Sequence, residues 1–85
     1  MASYSLYIKP SAARELEAVP AKDRRRIAER IQGLASAPRP PGCEKLSGAD
    51  RYRVRQGVYR VVYSIDDADR TVVVVKIGHR RDVYR

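Results

Sequence analysis

Between Arg51 and His79 apolar and polar side chains largely alternate, in three runs separated by Gln56-Gly57 and by Asp66-Asp67-Ala68-Asp69. A period of two belongs to β-strands, and glycine or aspartate clusters between such runs belong to turns. The pattern predicts an antiparallel meander over roughly 51 to 56, 58 to 66 and 71 to 79. A sheet of this kind buries one face, and a chain of 85 residues has enough material for one covering layer. The expectation is a single small domain with two layers.

The covering layer is legible upstream. From Ala21 to Ala35 the apolar residues fall at Ile27, Ala28, Ile31, Leu34 and Ala35, a stripe along one helix face. Pro38, Pro40, Pro41 and Gly42 stop this helix and open a loop reaching Gly48. A shorter helix is expected from an N-cap at Ser11 to about Val19, with Leu16 and Val19 inward and Arg14, Glu15 and Glu17 outward. Tyr4 to Ile8 alternates before Pro10 and reads as an opening strand. The fold class is therefore α+β, with two N-terminal helices on one face of a small antiparallel β-sheet.

Residue parity then sorts the strand side chains. Tyr59, Val61, Tyr63 and Ile65 share one side of the second meander strand, and Val73, Val75 and Ile77 share one side of the third. These are the expected core faces. The opposite side carries Arg60, Val62 and Ser64, then Val72, Val74, Lys76 and Arg80. In the first strand Arg51, Arg53 and Arg55 alternate with Tyr52 and Val54, and no acidic residue lies between Asp50 and Asp66. A two-residue turn at Gln56-Gly57 would set Arg53 directly across from Arg60 and Arg55 diagonally from it. Like charges facing each other across strands cost a few tenths to about 1 kcal/mol per pair, and a bound anion would relieve that cost.

Solubility alone would interleave both signs of charge on such a face, whereas most of the acids sit in the helices or in the Asp66 to Asp69 turn. Arginine's planar fork also suits bidentate phosphate contact. Eighteen Lys and Arg against ten Asp and Glu give a net charge of +8, which favours nucleic acid or an acidic protein as partner. No apolar run approaches the roughly 20 residues of a spanning helix, and the start lacks the layout of an export signal. The single cysteine, Cys43, forms no internal disulfide and reads as a structural thiol. A cytoplasmic protein without membrane association is expected. One His and one Cys supply no metal-ligand set, so no metal and no cofactor are expected.

The segment Tyr52-Arg-Val-Arg-Gln-Gly-Val-Tyr-Arg-Val-Val-Tyr63, followed by Ile77-Gly-His-Arg-Arg-Asp-Val-Tyr84, resembles the RelE toxins of the RelE/ParE superfamily. The likeness extends to the Ala12 to Leu16 stretch of the first helix and to the Pro40 to Gly48 loop, so it covers nearly the whole chain. It implies the toxin component of a type II toxin-antitoxin system, a ribosome-dependent endoribonuclease cutting messenger RNA in the A site. The implied reaction is metal-free attack of a ribose 2′-oxygen on the adjacent phosphate. The implied catalytic set is Arg53, Arg55, Arg60, Arg80 and Tyr84, with Arg51, Lys76 and Arg81 as further RNA-binding cations. Implied partners are a RelB-like cognate antitoxin, in a hetero-oligomer, and the ribosome with its messenger RNA.

This chain carries Arg53 and Arg55 where the best-known relatives carry lysines. Arginine stays protonated, so the two serve as electrostatic groups and the general base is left open. Histidine is the side-chain type whose ordinary titration falls near neutrality, but the parity of His79 places it with Ile77, in a structural role. Tyr52, Tyr59 and Tyr63 are expected in the packing. The basic run Arg24-Arg25-Arg26 with Arg30 fits either a solvated helix face or contact with ribosomal RNA. Two other functions stay open at this point: a ParE-like toxin that poisons DNA gyrase, and a noncatalytic RNA-binding module.

Overall fold

The computed structural model describes residues 3–46 and 50–79. In chain order the elements are β1 (Ser5–Ile8), α1 (Pro10–Glu17), α2 (Ala21–Ser36), β2 (Glu44–Leu46), β3 (Arg51–Gln56), β4 (Tyr59–Asp66) and β5 (Thr71–His79). The strands form one five-stranded sheet in the order β1-β5-β4-β3-β2. The expected α+β class holds, but the sheet is mixed: β1 runs parallel to β5, from Ser5 opposite Thr71 to Ile8 opposite Val74, and the other pairings are antiparallel. Alternation alone carries no strand direction, and β1 reaches its partner only because the helices return the chain to the sheet. β2 falls where the sequence pattern predicts loop. It forms because Glu44, Lys45 and Leu46 pair with Arg53, Tyr52 and Arg51.

Pro10 opens α1 rather than preceding it, with Lys9 as the N-cap residue. Proline's fixed φ and missing N–H suit the first helical position. Ala12 is fully buried and Val19 is 7% exposed, while Leu16 packs half-buried against the core. α2 follows its apolar stripe, burying Ile27, Ile31 and Leu34. Opposite them stand Val54, Val61, Tyr63, Val72, Val74 and Ile77 from the sheet. Each fully buried Val, Ile, Leu or aromatic side chain contributes roughly 1.5–3 kcal/mol of transfer free energy.

The meander departs from the expected register twice. Gln56 pairs with Tyr59, so the two turn residues are Gly57 and Val58, and Gly57 has φ +61°. A glycine in the left-handed region at the first central position meets the demand of a tight hairpin turn. The second departure lies in β5. Val62 faces Lys76 but Tyr63 faces Val74, so Val75 is an extra residue, a β-bulge. Parity predicted Val73 and Val75 in the core and Val72 and Val74 on the opposite face; the bulge reverses this, and Val72 and Val74 are fully buried.

Two polar arrangements fix the loops. The Tyr63 hydroxyl donates to the Pro38 carbonyl at 2.7 Å and lies 3.3 Å from Cys43 Sγ. Burial, and then the hydrogen bond with Cys43, push this phenol above its ordinary range. At the surface, Arg39 grips Asp67 with both terminal nitrogens, at 3.2 and 2.9 Å, and lies 5.1 Å from the centre of the Tyr52 ring. Tyr4 donates to the same carboxylate at 2.7 Å. The loop after α2, the β4–β5 turn and the start of β1 are thereby tied together.

Replacing Tyr63 with Phe removes the bond to Pro38 without opening a cavity, and is expected to cost about 1 kcal/mol, read as a lower urea midpoint at unchanged slope. The Arg39 pair, and then the Tyr4 hydroxyl, hold the Asp67 carboxyl at about 2 against the usual 3.8. A lowered folded-state value stabilises the protein above pH 3.8 and ceases to do so as pH falls through about 2. The melting-temperature gap between the parent protein and Asp67→Asn should therefore narrow between pH 4 and pH 2; a constant gap would contradict this linkage.

Candidate functional site

The face of the sheet away from the helices is built in rows that cross the strands. One row is Arg55, Arg60 and Gly78. The next is Glu44, Arg53, Val62 and Lys76. A third is Leu46, Arg51, Ser64, Val73 and Tyr7. The Gly57-Val58 turn therefore puts Arg55, not Arg53, directly opposite Arg60, and Arg53 takes the diagonal place. The faces are unchanged, because both registers preserve parity.

These cations differ in setting. Arg55 and Arg51 are exposed and Arg60 is half-buried. Arg53 is only 8% exposed, and its Nη2 donates to Glu44 Oε2 at 2.6 Å. Lys76 Nζ donates to Glu15 Oε2 at 3.3 Å. Val62, between Arg53 and Lys76 in its row, is 5% exposed although it lies on the open face. Flanking arginine and lysine stems shelter such a residue while their charged heads stay at the surface.

The expectation that carboxylates avoid this face is thus corrected at two positions. Glu44 arrives with β2, a strand whose existence depends on pairing with β3. Glu15 was expected to point outward from α1. Instead its Oε1 accepts the Ile77 N–H at 3.0 Å, because β1 pairs with β5 only as far as Val74 and leaves the following edge of β5 to be satisfied from the helix. Tyr7 was also missed as a face residue: it is 59% exposed and joins the third row through the parallel β1–β5 register. The signal for Glu15 lay in its i+3 spacing from Ala12, which sets it beside that inward residue on the helix; Glu44 and Tyr7 had none without the pairing.

The remaining site expectations separate clearly. Arg53, Arg55, Arg60, Lys76 and Arg51 share the open face. Arg80, Arg81 and Tyr84 lie outside the described residues. His79 pairs with Tyr59 on the core side, their rings 6.0 Å apart and edge to face. Tyr52 stacks on the fully buried Tyr63 with ring centres 6.0 Å apart, so the tyrosines of β3 and β4 serve packing. On α2, Lys22, Arg25 and Arg26 line a shallow groove with Ala21 and Glu29. Among the described residues no helix is long and apolar enough to cross a membrane.

What the face can do is hold an anion. A phosphodiester placed over Arg55 and Arg60 would neutralise a directly opposed pair and receive donors from two strands.

Comparison with known proteins agrees with this architecture. The family model described as the ParE toxin of a type II toxin-antitoxin system matches residues 6–84. The toxin RelE of Mycobacterium tuberculosis is 35% identical over 86 residues, covering 96% of this chain and 87% of that protein. Among solved structures, the archaeal RelE–RelB complex of Pyrococcus horikoshii superposes with a TM-score of 0.84 at 30% identity, covering 95% of this chain and 99% of that one. The RelBE2 toxin-antitoxin complex of M. tuberculosis gives 0.81 at 28%, covering 92% and 99%. Sheet order, helix layer and sequence likeness thus converge, and the chain belongs to the RelE/ParE superfamily of type II toxin-antitoxin toxins, as a RelE-type member.

Proposed function

We propose that this toxin is a ribosome-dependent endoribonuclease that cuts messenger RNA in the A site. The observation that carries the reading is the direct opposition of Arg55 and Arg60 on the open face. Two guanidiniums facing each other across strands repel, and a phosphate bridging them turns that repulsion into charge-assisted hydrogen bonding. Cleavage proceeds by attack of a ribose 2′-oxygen on the adjacent phosphorus. The 2′-hydroxyl gives up its proton as the 2′-oxygen–phosphorus bond forms, the bond to the 5′-oxygen breaks and that oxygen takes up a proton, and the products are a cyclic phosphate and a 5′-hydroxyl.

Negative charge builds on the non-bridging oxygens in the transition state, and fixed guanidiniums stabilise it without reorganising. Arg60 and Arg55 take this role, with Arg53 behind them contributing to the field of the face. Arg80 at the leaving group and Tyr84 against a base complete the set by family resemblance, and Arg51, Lys76 and Arg81 guide the RNA backbone. The solved relatives include RelE–RelB complexes, which supports a RelB-like antitoxin as partner in a hetero-oligomer. An acidic segment would suit a chain of net charge +8.

The match to a ParE family model supports one rival, a toxin that acts on DNA gyrase without cutting RNA. Primer extension on transcripts in a translating extract separates the two, and A-site cuts are the expected result. Intact transcripts alongside inhibited gyrase supercoiling would establish the rival. Arg60→Ala should lower the single-turnover cleavage rate about 100-fold, the scale of losing one transition-state donor, with its thermal melt retained. Undiminished cleavage by that variant would remove Arg60 from the phosphate site.

A further inference from the structure

The arginines of β3 are arranged around one carboxylate. Glu44 on β2 lies directly across from Arg53, so Arg51 and Arg55 are its diagonal neighbours. Diagonal positions in an antiparallel pair lie about 7–8 Å apart, within reach of long side chains. Arg55 in turn faces Arg60. A phosphate bridging Arg55 and Arg60 therefore sits one diagonal step from the Glu44 carboxylate.

That carboxylate is anchored by one oxygen. Arg53 Nη2 donates to Glu44 Oε2 at 2.6 Å, with the Arg53 side chain 9% exposed and that of Glu44 52% exposed. Among the described residues no hydrogen bond reaches Oε1, which leaves this oxygen for an incoming hydroxyl. Glu15 and Asp66, also on this side of the sheet, are committed elsewhere. Glu15 gives Oε2 to Lys76 and Oε1 to the Ile77 N–H. Asp66 accepts the Asp69 N–H and lies about 20 Å along β4 from Arg60.

We propose that Glu44 is the general base of the cleavage, taking the proton of the 2′-hydroxyl while Arg55 and Arg60 hold the scissile phosphate. The inference rests on the reading of the open face as an RNA site, and it supplies a proton acceptor that the arginines, which stay protonated, cannot be. As Glu44 Oε1 takes the proton, an electron pair of the 2′-oxygen forms the bond to phosphorus. The bond from phosphorus to the 5′-oxygen breaks, its pair passes to that oxygen, and the oxygen takes a proton from water. The hydroxide so formed reclaims the proton from Glu44, which restores both the water and the carboxylate. A hydroxyl is activated by a base that a third group orients. Here the buried Arg53 is that group.

The test uses ribosomes programmed with a messenger in the A site and reads single-turnover cleavage over roughly two pH units around neutrality. Glu44→Gln keeps an acceptor for Arg53 but cannot take a proton. Its cleavage near neutrality should fall about 100-fold or more, the scale of a lost general base. Its affinity for the same messenger made uncleavable by 2′-O-methylation should be no weaker than the parent's. Solvent hydroxide must then remove the proton, so the variant's rate should climb about tenfold per pH unit and its gap to the parent should narrow. The side chains beside Glu44, those of Arg51, Arg53 and Arg55, stay protonated throughout and leave that slope to the missing base. Glu44→Asp keeps the countercharge on Arg53 and so guards against a folding defect. With its carboxylate drawn back by a methylene, it should cut at least about tenfold more slowly.

Parental cleavage by either variant would overturn the assignment. So would a Glu44→Gln deficit that is constant with pH, because a merely structural loss lowers the rate equally at every pH. A parent toxin that leaves the messenger intact would instead defeat the RNA reading on which the assignment stands.

Discussion

The open face depends on the closed one. Ile27, Ile31 and Leu34 of α2 seal one side of the sheet against Val54, Val61, Tyr63, Val72, Val74 and Ile77. With the apolar demand met there, the other side is free to carry guanidiniums, and the strands' two-residue period delivers them in aligned rows. Tyr63 links the two requirements. Its ring lies wholly in the core, and its hydroxyl reaches Pro38 and Cys43, which sets the path of the loop from α2 to β2. That path brings Glu44 beside Arg53.

The bulge at Val75 has a comparable effect at the other margin. Without the extra residue, burying Ile77 would place Val73 and Val75 in the core and Val72 and Val74 outside. With it, Val72 and Val74 are buried on one side of the irregularity and Ile77 on the other, while Lys76 stays on the basic face. β1 ends its pairing at Val74, just before the bulge, and Glu15 takes over the next stretch of the strand edge. A local irregularity in β5 thus coincides with the change from strand partner to helix partner.

Charge on this protein is less one-sided than its composition suggests. A net charge of +8 describes the whole chain, but on the sheet face Arg53 and Lys76 are each paired with a carboxylate. Family membership and the RelE-type relatives account for a toxin with a basic face. Within that face Glu44 pairs with Arg53 and Glu15 with Lys76.

Much was legible in the amino-acid sequence alone: the α2 stripe, three meander strands within a residue or two of their ends, the core face of β4, and the face shared by Arg53, Arg55 and Arg60. These follow from periodicity, which is a local property of side chains. The sequence did not contain the direction of β1, the existence of β2, the register at Gly57-Val58 or the bulge at Val75. Val72 to Val75 is a run of four valines, so parity had nothing to discriminate there, and only packing against the helices chose which two are buried. Pairing across strands also decided that Arg55 opposes Arg60 and that Glu44 meets Arg53. Those contacts join residues distant in register or in sequence, and their geometry exists only once the chain has closed.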